Sequence, residues 1–359
     1  MEVLRATKCE DLIKIGGGRS VFIYGAKTIA QRACLYLERH GVTVTAFLVS
    51  ERYENPETVE GHPVWRIEQH AAETFDVVLV AVSGLKVLRA IVKALRAYEI
   101  STAVTLSPNM YDAFPMQDIL TDRVQIASPE LVAEDAKIFA DETSEIIIEE
   151  GVEVSSDVVI LASDHSTIRI GKDTFLDKRA HVFADEASVL NIGVEGLVGE
   201  QCSIVSEKHS ELVMGDRVHV DSRNIMGASE RGVLFLGEET TIGENGWFSA
   251  TAGGEIHLGN DNMLSLFIKM AVGNHELLDQ KTGRLLTNRA AIHTEGHVWI
   301  GIGSTLLPGA HLGEGSVVGA SSVVTKPFPP HCTIAGNPAR VLREGISWQR
   351  EAMNHGTGV

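Results

Sequence analysis

Between Lys269 and Gly301 the chain gathers side chains that could move a proton: His275, Asp279, His293 and His297, with Asn288 among them. An imidazole titrates near neutral pH and can accept the proton of a hydroxyl as that oxygen attacks an electrophile. His275 is the candidate base, and Asp279, four residues on, could orient its ring. The same carboxylate could simply cap a turn of the loop. His293 and His297 are four apart with His275 upstream, which also raises a zinc site of three converging imidazoles. Further on, Lys326, Arg340 and Arg343 put cations where a phosphate-bearing ligand could be gripped.

The elements that must hold these residues show a period of six. Ile300, Leu306, Leu312, Val318 and Val324 recur at that interval, with Gly301, Gly313 and Gly319 after three of them and Ser304, Ala310, Ser316 and Ser322 two residues ahead. Six is neither the helical period nor strand alternation; it is a short strand and a tight corner, repeated, which marks a solenoid. Looser sixes begin near Leu131 and run through Val132, Ile138, Ile148, Val154, Ile160, Ile170, Leu176 and Val182. They falter at 185–212, where loops are expected to leave the coil, and resume from Met214 to Leu264. An excursion of about 269–296 then interrupts the coils.

The stretch HVWIGIGSTLLPGAHLGEGSVVGASSVVTKPFPPHCTIAGNPARVLR resembles the hexapeptide-repeat acyltransferases, whose fold is a left-handed parallel β-helix with three strands per coil. The excursion resembles the acceptor loop of their sugar and polysaccharide O-acetyltransferases, with His275, Asp279, Gly283, Asn288 and His297-Val298-Trp299-Ile300-Gly301 in the same order. The resemblance implies transfer of an acetyl group from acetyl-CoA to a sugar hydroxyl of a surface polysaccharide or its precursor. It makes His275 the general base acting without an acyl-enzyme, and Asn288 and His297 acceptor contacts. It places Trp299, Ala320, Ser321, Thr325, Lys326, Arg340 and Arg343 along the acyl-CoA groove. A homotrimer with that groove between chains, and no required metal, follow from the same likeness. Many relatives carry an acidic residue just before the histidine; here Val272-Gly273-Asn274 stands there, so the group that orients the imidazole is open.

Residues 19–120 alternate strands and helices in the manner of a Rossmann-like α/β domain with a parallel sheet, the domain being expected over 1–120. RSVFIYG, VTVTAFLVS, DVVLVAVS and STAVTLSP read as strands, and KTIAQRACLYLERHG and LKVLRAIVKALRAYEI as helices. The turn after the first strand is Gly25-Ala26-Lys27-Thr28-Ile29-Ala30, with one glycine of the three that a dinucleotide fingerprint needs, so hydride chemistry on NAD is not expected. The domain resembles those fused to sugar acyltransferases, where a nucleotide-sugar or a mere positioning role are both open. The β-helix is expected over 128–345, with a short C-terminal helix and tail over 346–359.

A formal net charge of -17 and a pI near 5.3 argue against nucleic-acid or membrane-surface partners. No apolar run reaches the length of a spanning helix. Cys9, Cys34, Cys202 and Cys332 are scattered, as expected of thiols in a reducing cytoplasm. The competing readings are N-acylation of an amino nucleotide-sugar, a non-catalytic trimeric scaffold, and a metalloenzyme like the γ-class carbonic anhydrases.

Overall fold

The computed structural model describes residues 1–50, 55–82, 85–107, 110, 114, 122–273, 277–286 and 291–350. The chain divides into two compact units, Met1–Arg123 with Lys137–Glu142, and Val124–Ala136 with Thr143–Val359.

The first unit is a seven-stranded sheet flanked by helices. Its strands are β1 (Glu2–Ala6), β2 (Val21–Tyr24), β3 (Val44–Val49), β4 (Thr58–Val59), β5 (His62–Arg66), β6 (Thr74–Val80) and β7 (Glu99–Leu106), in the order β1-β7-β6-β2-β3-β5-β4. All pairings are parallel except β4 with β5. The helices are α1 (Cys9–Gly16), α2 (Thr28–Arg39) and α3 (Leu85–Leu95). The central strands are buried on both faces, which is why VFIY and DVVLV read as apolar runs rather than alternating ones. Phe22 meets Phe75 edge-on at 4.9 Å in that core. Gly25 has φ +121, and a Cβ there would lie 2.9 Å from the Ala81 carbonyl oxygen, so packing against the strand next door accounts for this glycine. β1 and α1 precede the first strand expected from sequence, and the EGHPVW stretch falls between the expected second and third strands. That stretch is the β4–β5 hairpin, turned by Glu60 and Gly61 at φ 48 and 77.

The second unit is a parallel β-helix. Successive strands fall on three faces in rotation. Glu145–Ile148, Glu153–Val154 and Val159–Ala162 make one coil, and Thr167–Ile170, Phe175–Leu176 and His181–Asp185 pair with them in parallel to make the next. Coils up to the excursion repeat every 22 residues, because the first and third faces carry four- or five-residue strands that bury two side chains each. Past the excursion the repeat tightens to 18 residues, as between Ser304 and Ser322. The expected irregularity at 185–212 is absent: Val189–Ile192, Leu197–Val198, Ser203–Glu207 and Glu211–Met214 continue the ladder in register. The stacked aliphatics continue there as Ile192, Val198 and Ile204, all buried and spaced as in the coils on either side.

Polar ladders inside the corners fix the stacking. Ser166, Ser188, Ser210 and Gly232 each donate a backbone N–H to the hydroxyl one coil earlier, at 3.0–3.1 Å. Asn262 donates to the Gly259 carbonyl and Thr294 Oγ1 and accepts from Val298 N at 2.7 Å. Buried backbone at the bends therefore keeps its hydrogen bonds. The glycines after the aliphatics are steric necessities: a Cβ on Gly301 would sit 2.7 Å from Ala320 N, and one on Gly313 2.4 Å from Pro330 N.

The coils end in a hairpin of Cys332–Gly336 with Ala339–Glu344. Residues 346–350 form an irregular strap; residues 351–359, the rest of the expected helix and tail, lie outside the described part. Among the described residues no helix is long and apolar enough to cross a membrane, and the four cysteines are buried thiols outside any disulfide.

Candidate functional site

The excursion departs from one edge of the β-helix. Lys269–Val272 still pairs on the third face, and Ile292–Thr294 resumes on the first, so 273–291 emerges at the third–first edge. It is narrower than the 269–296 expected from sequence. Within it Leu277–Leu278 and Leu285–Leu286 pair as an antiparallel hairpin. Asp279 closes that hairpin: Oδ1 accepts from the backbone N–H groups of Lys281 (2.8 Å) and Thr282 (2.9 Å). The same backbone donors, Thr282 first, hold its carboxyl below the usual carboxylate range. His275 and Asn288 lie outside the described residues.

Two coils beyond the excursion, Thr325 and Lys326 occupy the same third–first edge, just after Val323–Val324. At one strand spacing per coil that is roughly 10 Å along the axis. Gly309, at the intervening corner, donates its N–H to Ala291 at the excursion's return (3.1 Å). Lys326 lies over the Phe328 ring at 5.5 Å.

The other expected donor-groove residues gather on the second face and its edge with the third. Trp299, Val317, Thr333 and Arg343 form one cross-strand row, about 14 Å from end to end. Ala320 and Ser321 turn the second–third edge, and Arg340 lies opposite Ala335, whose Cβ a side chain on Gly319 would meet at 3.0 Å. Trp299 Nε1 donates to Ser265 Oγ at 3.4 Å. The seven residues thus fall into two groups on either side of the third face.

His297 sits on the first–second edge, away from the excursion's departure, at φ 55. Its Nδ1 is 2.6 Å from Asp261 Oδ2 and its Nε2 2.9 Å from the Trp348 carbonyl oxygen, so both ring nitrogens are engaged within the chain. Those contacts tie the ring to the preceding coil and to the strap; the resemblance implied an acceptor contact at this residue. His293 stacks on His257 at 5.1 Å and meets His311 edge-on at 4.7 Å on the first face. Burial, with those two neighbours, lowers its pKa. The two described members of the candidate zinc trio therefore point into separate surroundings and do not converge. What sequence reasoning missed was the partner set of His297: Asp261, Trp348 and Arg350 are up to 89 residues apart, and only the coil period could have paired Asp261 with His297.

No family model matches the chain. By sequence, a putative acetyltransferase of Schizosaccharomyces pombe is 37% identical over 89 residues, 25% of this chain and 43% of that protein. A putative acetyltransferase of Staphylococcus aureus is 51% identical over 53 residues, 15% of this chain and 27% of that one. The galactoside O-acetyltransferase of Lactococcus lactis is 29% identical over 105 residues, 29% of this chain and 51% of that one. The chain spans about half the length, or less, of these relatives. Among solved structures, the polysialic acid O-acetyltransferase OatWY is 20% identical, covering 62% of this chain and 92% of that one, with a TM-score of 0.42. The perosamine N-acetyltransferase of Caulobacter crescentus, solved with CoA and GDP-perosamine, is 15% identical and covers 90% of this chain and 97% of that one, with a TM-score of 0.19. Structural likeness of this degree carries no argument about substrate.

Proposed function

We infer that this chain, a left-handed β-helix of the hexapeptide-repeat acetyltransferase group, transfers an acetyl group from acetyl-CoA to a sugar hydroxyl of a surface polysaccharide or its precursor. The observation that carries the reading is the shared edge. The excursion bearing His275 and the Thr325–Lys326 corner are two coils apart on the same side of the β-helix, so an acceptor held by one can meet a donor held by the other. The sequence relatives named as acetyltransferases point the same way.

In this reading His275 takes the proton of the acceptor hydroxyl as its oxygen attacks the thioester carbonyl. The new C–O bond forms as the C–S bond breaks, and the proton passes from the imidazole to the departing thiolate. A backbone N–H of a neighbouring coil supplies the oxyanion donor. With both reactants positioned, no acyl-enzyme is required. Arg340 and Arg343 supply the positive charge that the phosphates of CoA require in a chain of net charge -17.

The working form is a homotrimer. Ile225 and Trp247 on the third face and Phe267 and Ile302 on the second–third edge are exposed apolar side chains along the proposed groove, a pattern that marks a surface made to be covered. The test is thiol release from acetyl-CoA with a panel of polymeric, lipid-linked and nucleotide-linked sugar acceptors. Acceptor-dependent release with an O-acetyl product is expected; release only with amino sugars, giving an amide, would move the reading to N-acylation.

A further inference from the structure

The strap of residues 346–350 returns along the first–second edge and is tied there unusually well. Trp348 lies flat on His297, with 4.1 Å between ring centroids and 9° between planes. Its Nε1 donates to the His297 carbonyl at 2.8 Å. Arg350 donates to Asp261 Oδ1 (2.6 Å), Thr241 Oγ1 (2.9 Å) and the carbonyls of Glu239 (2.8 Å) and Asn262 (2.9 Å). The Trp348 ring also neighbours Trp299, with 6.1 Å between centroids and a tilt of 45°.

The imidazole at the centre of this arrangement has an acceptor on each nitrogen, a carboxylate oxygen on Nδ1 and a carbonyl oxygen on Nε2. A neutral ring carries one N–H and would turn a lone pair on one of the two oxygens. Only the imidazolium satisfies both contacts.

We propose that His297, Asp261 and Trp348 form a proton-held latch that keeps the strap closed and so positions Trp299 for the acyl-CoA donor. The role of Trp299 rests on the function proposed above; the latch itself does not. His297 is then a positioning residue, acting through Trp348.

The charged groups facing the ring are Asp261 from the preceding coil and Arg350 from the strap; the following coil offers Gly315 at the equivalent corner. Burial works against the charged ring, but the Trp348 carbonyl and Asp261 outweigh it and hold the pKa of His297 above its ordinary value. Burial likewise works to raise the Asp261 carboxyl, and the hydrogen bonds from Arg350 and His297 reverse this, holding it low. A raised imidazole pKa in the closed state means that the latch is at full strength below the open-state pKa of about 6.5. It is lost as pH rises through the closed-state value, and between the two the closing constant falls about tenfold per pH unit.

The experiment uses the full chain labelled with 5-fluorotryptophan, the Trp348 fluorine line being assigned by Trp348→Phe. That line is followed from about pH 6 to about pH 9, a range bracketing the ordinary imidazole pKa, beside the calorimetric Kd for acetyl-CoA. The latch predicts a titrating Trp348 line in the wild type, an invariant open-state line in His297→Gln, and a midpoint moved to lower pH in Asp261→Asn. It also predicts a Kd that weakens several-fold over the same window in the wild type and stays weak and flat in His297→Gln. A Trp348 line that does not titrate in the wild type, or that titrates equally in His297→Gln, overturns the latch. A titrating line with a pH-independent Kd overturns the positioning of Trp299 alone. Absence of acetyl-CoA binding at every pH would sink both the proposed function and the positioning, leaving the fluorine signal to judge the latch.

Discussion

Gly273 leaves the last broad coil directly over Thr251: at φ +76, a Cβ on it would fall 1.5 Å from the Thr251 carbonyl oxygen. Thr251 holds the preceding residue as well, donating its N–H (3.1 Å) and its hydroxyl (3.2 Å) to the Val272 carbonyl. The excursion thus starts from a fixed point that only glycine can occupy, and the direction of everything after it depends on that point. Gly273→Ala must push the root of the loop off the corner. We expect a loss of about 1–3 kcal/mol in stability, the ordinary cost of a strained φ and a backbone clash, together with at least a tenfold fall in turnover. Thermal melts and steady-state kinetics check the pair; unchanged turnover would contradict the link between root and chemistry.

Asp279 separates two roles that its sequence position leaves open. If its carboxylate serves the hairpin alone, Asp279→Asn keeps the amide oxygen that accepts from Lys281 and Thr282 and leaves activity near wild type, while Asp279→Ala opens the turn and lowers it. If its charge also orients His275, Asp279→Asn loses activity as well. The geometry around Lys281 and Thr282 favours the first outcome, read from kcat in the two variants.

Asn262 is fully buried between coils of different width and satisfies three groups at once. Asn262→Ala strands the Val298 N–H, while the Gly259 carbonyl keeps the Thr240 hydroxyl at 3.1 Å, and an unsatisfied buried group costs about 1–3 kcal/mol. Denaturant unfolding should show a lower midpoint with an unchanged m-value. Wild-type stability would mean that the corner ladder contributes little to the coil stacking.

Much of this fold was legible because a narrow interior admits only aliphatics at its stacking positions; Ile148, Ile160, Ile170, Leu176, Leu236 and Leu264 all came up in the sixes and all are buried. The 22-residue coil was not, since corner residues such as Glu195, Arg217 and Lys208 take left-handed conformations without being glycine and look in sequence like any polar residue. In the first unit the β4–β5 hairpin escaped because β4 is two residues long and β5, HPVWR, has no buried face to give a periodicity. At the candidate site, order and spacing singled out the loop. The capture of His297 by the strap was invisible, because contacts between residues 51 apart leave no mark on local sequence.

The central claim is that His275 is the base and that donor binding is a separate function. The direct measurement is steady-state kinetics of His275→Ala with acetyl-CoA and the acceptor found active, alongside Arg340→Ala and with folding checked by melts. General-base catalysis contributes about 10²–10⁴-fold, so turnover of His275→Ala should fall by at least that much while its affinity for acetyl-CoA is nearly intact. Arg340→Ala should instead raise the Michaelis constant for acetyl-CoA with a modest fall in turnover. A folded His275→Ala protein that keeps more than about a tenth of wild-type turnover, well outside that range, would contradict the account.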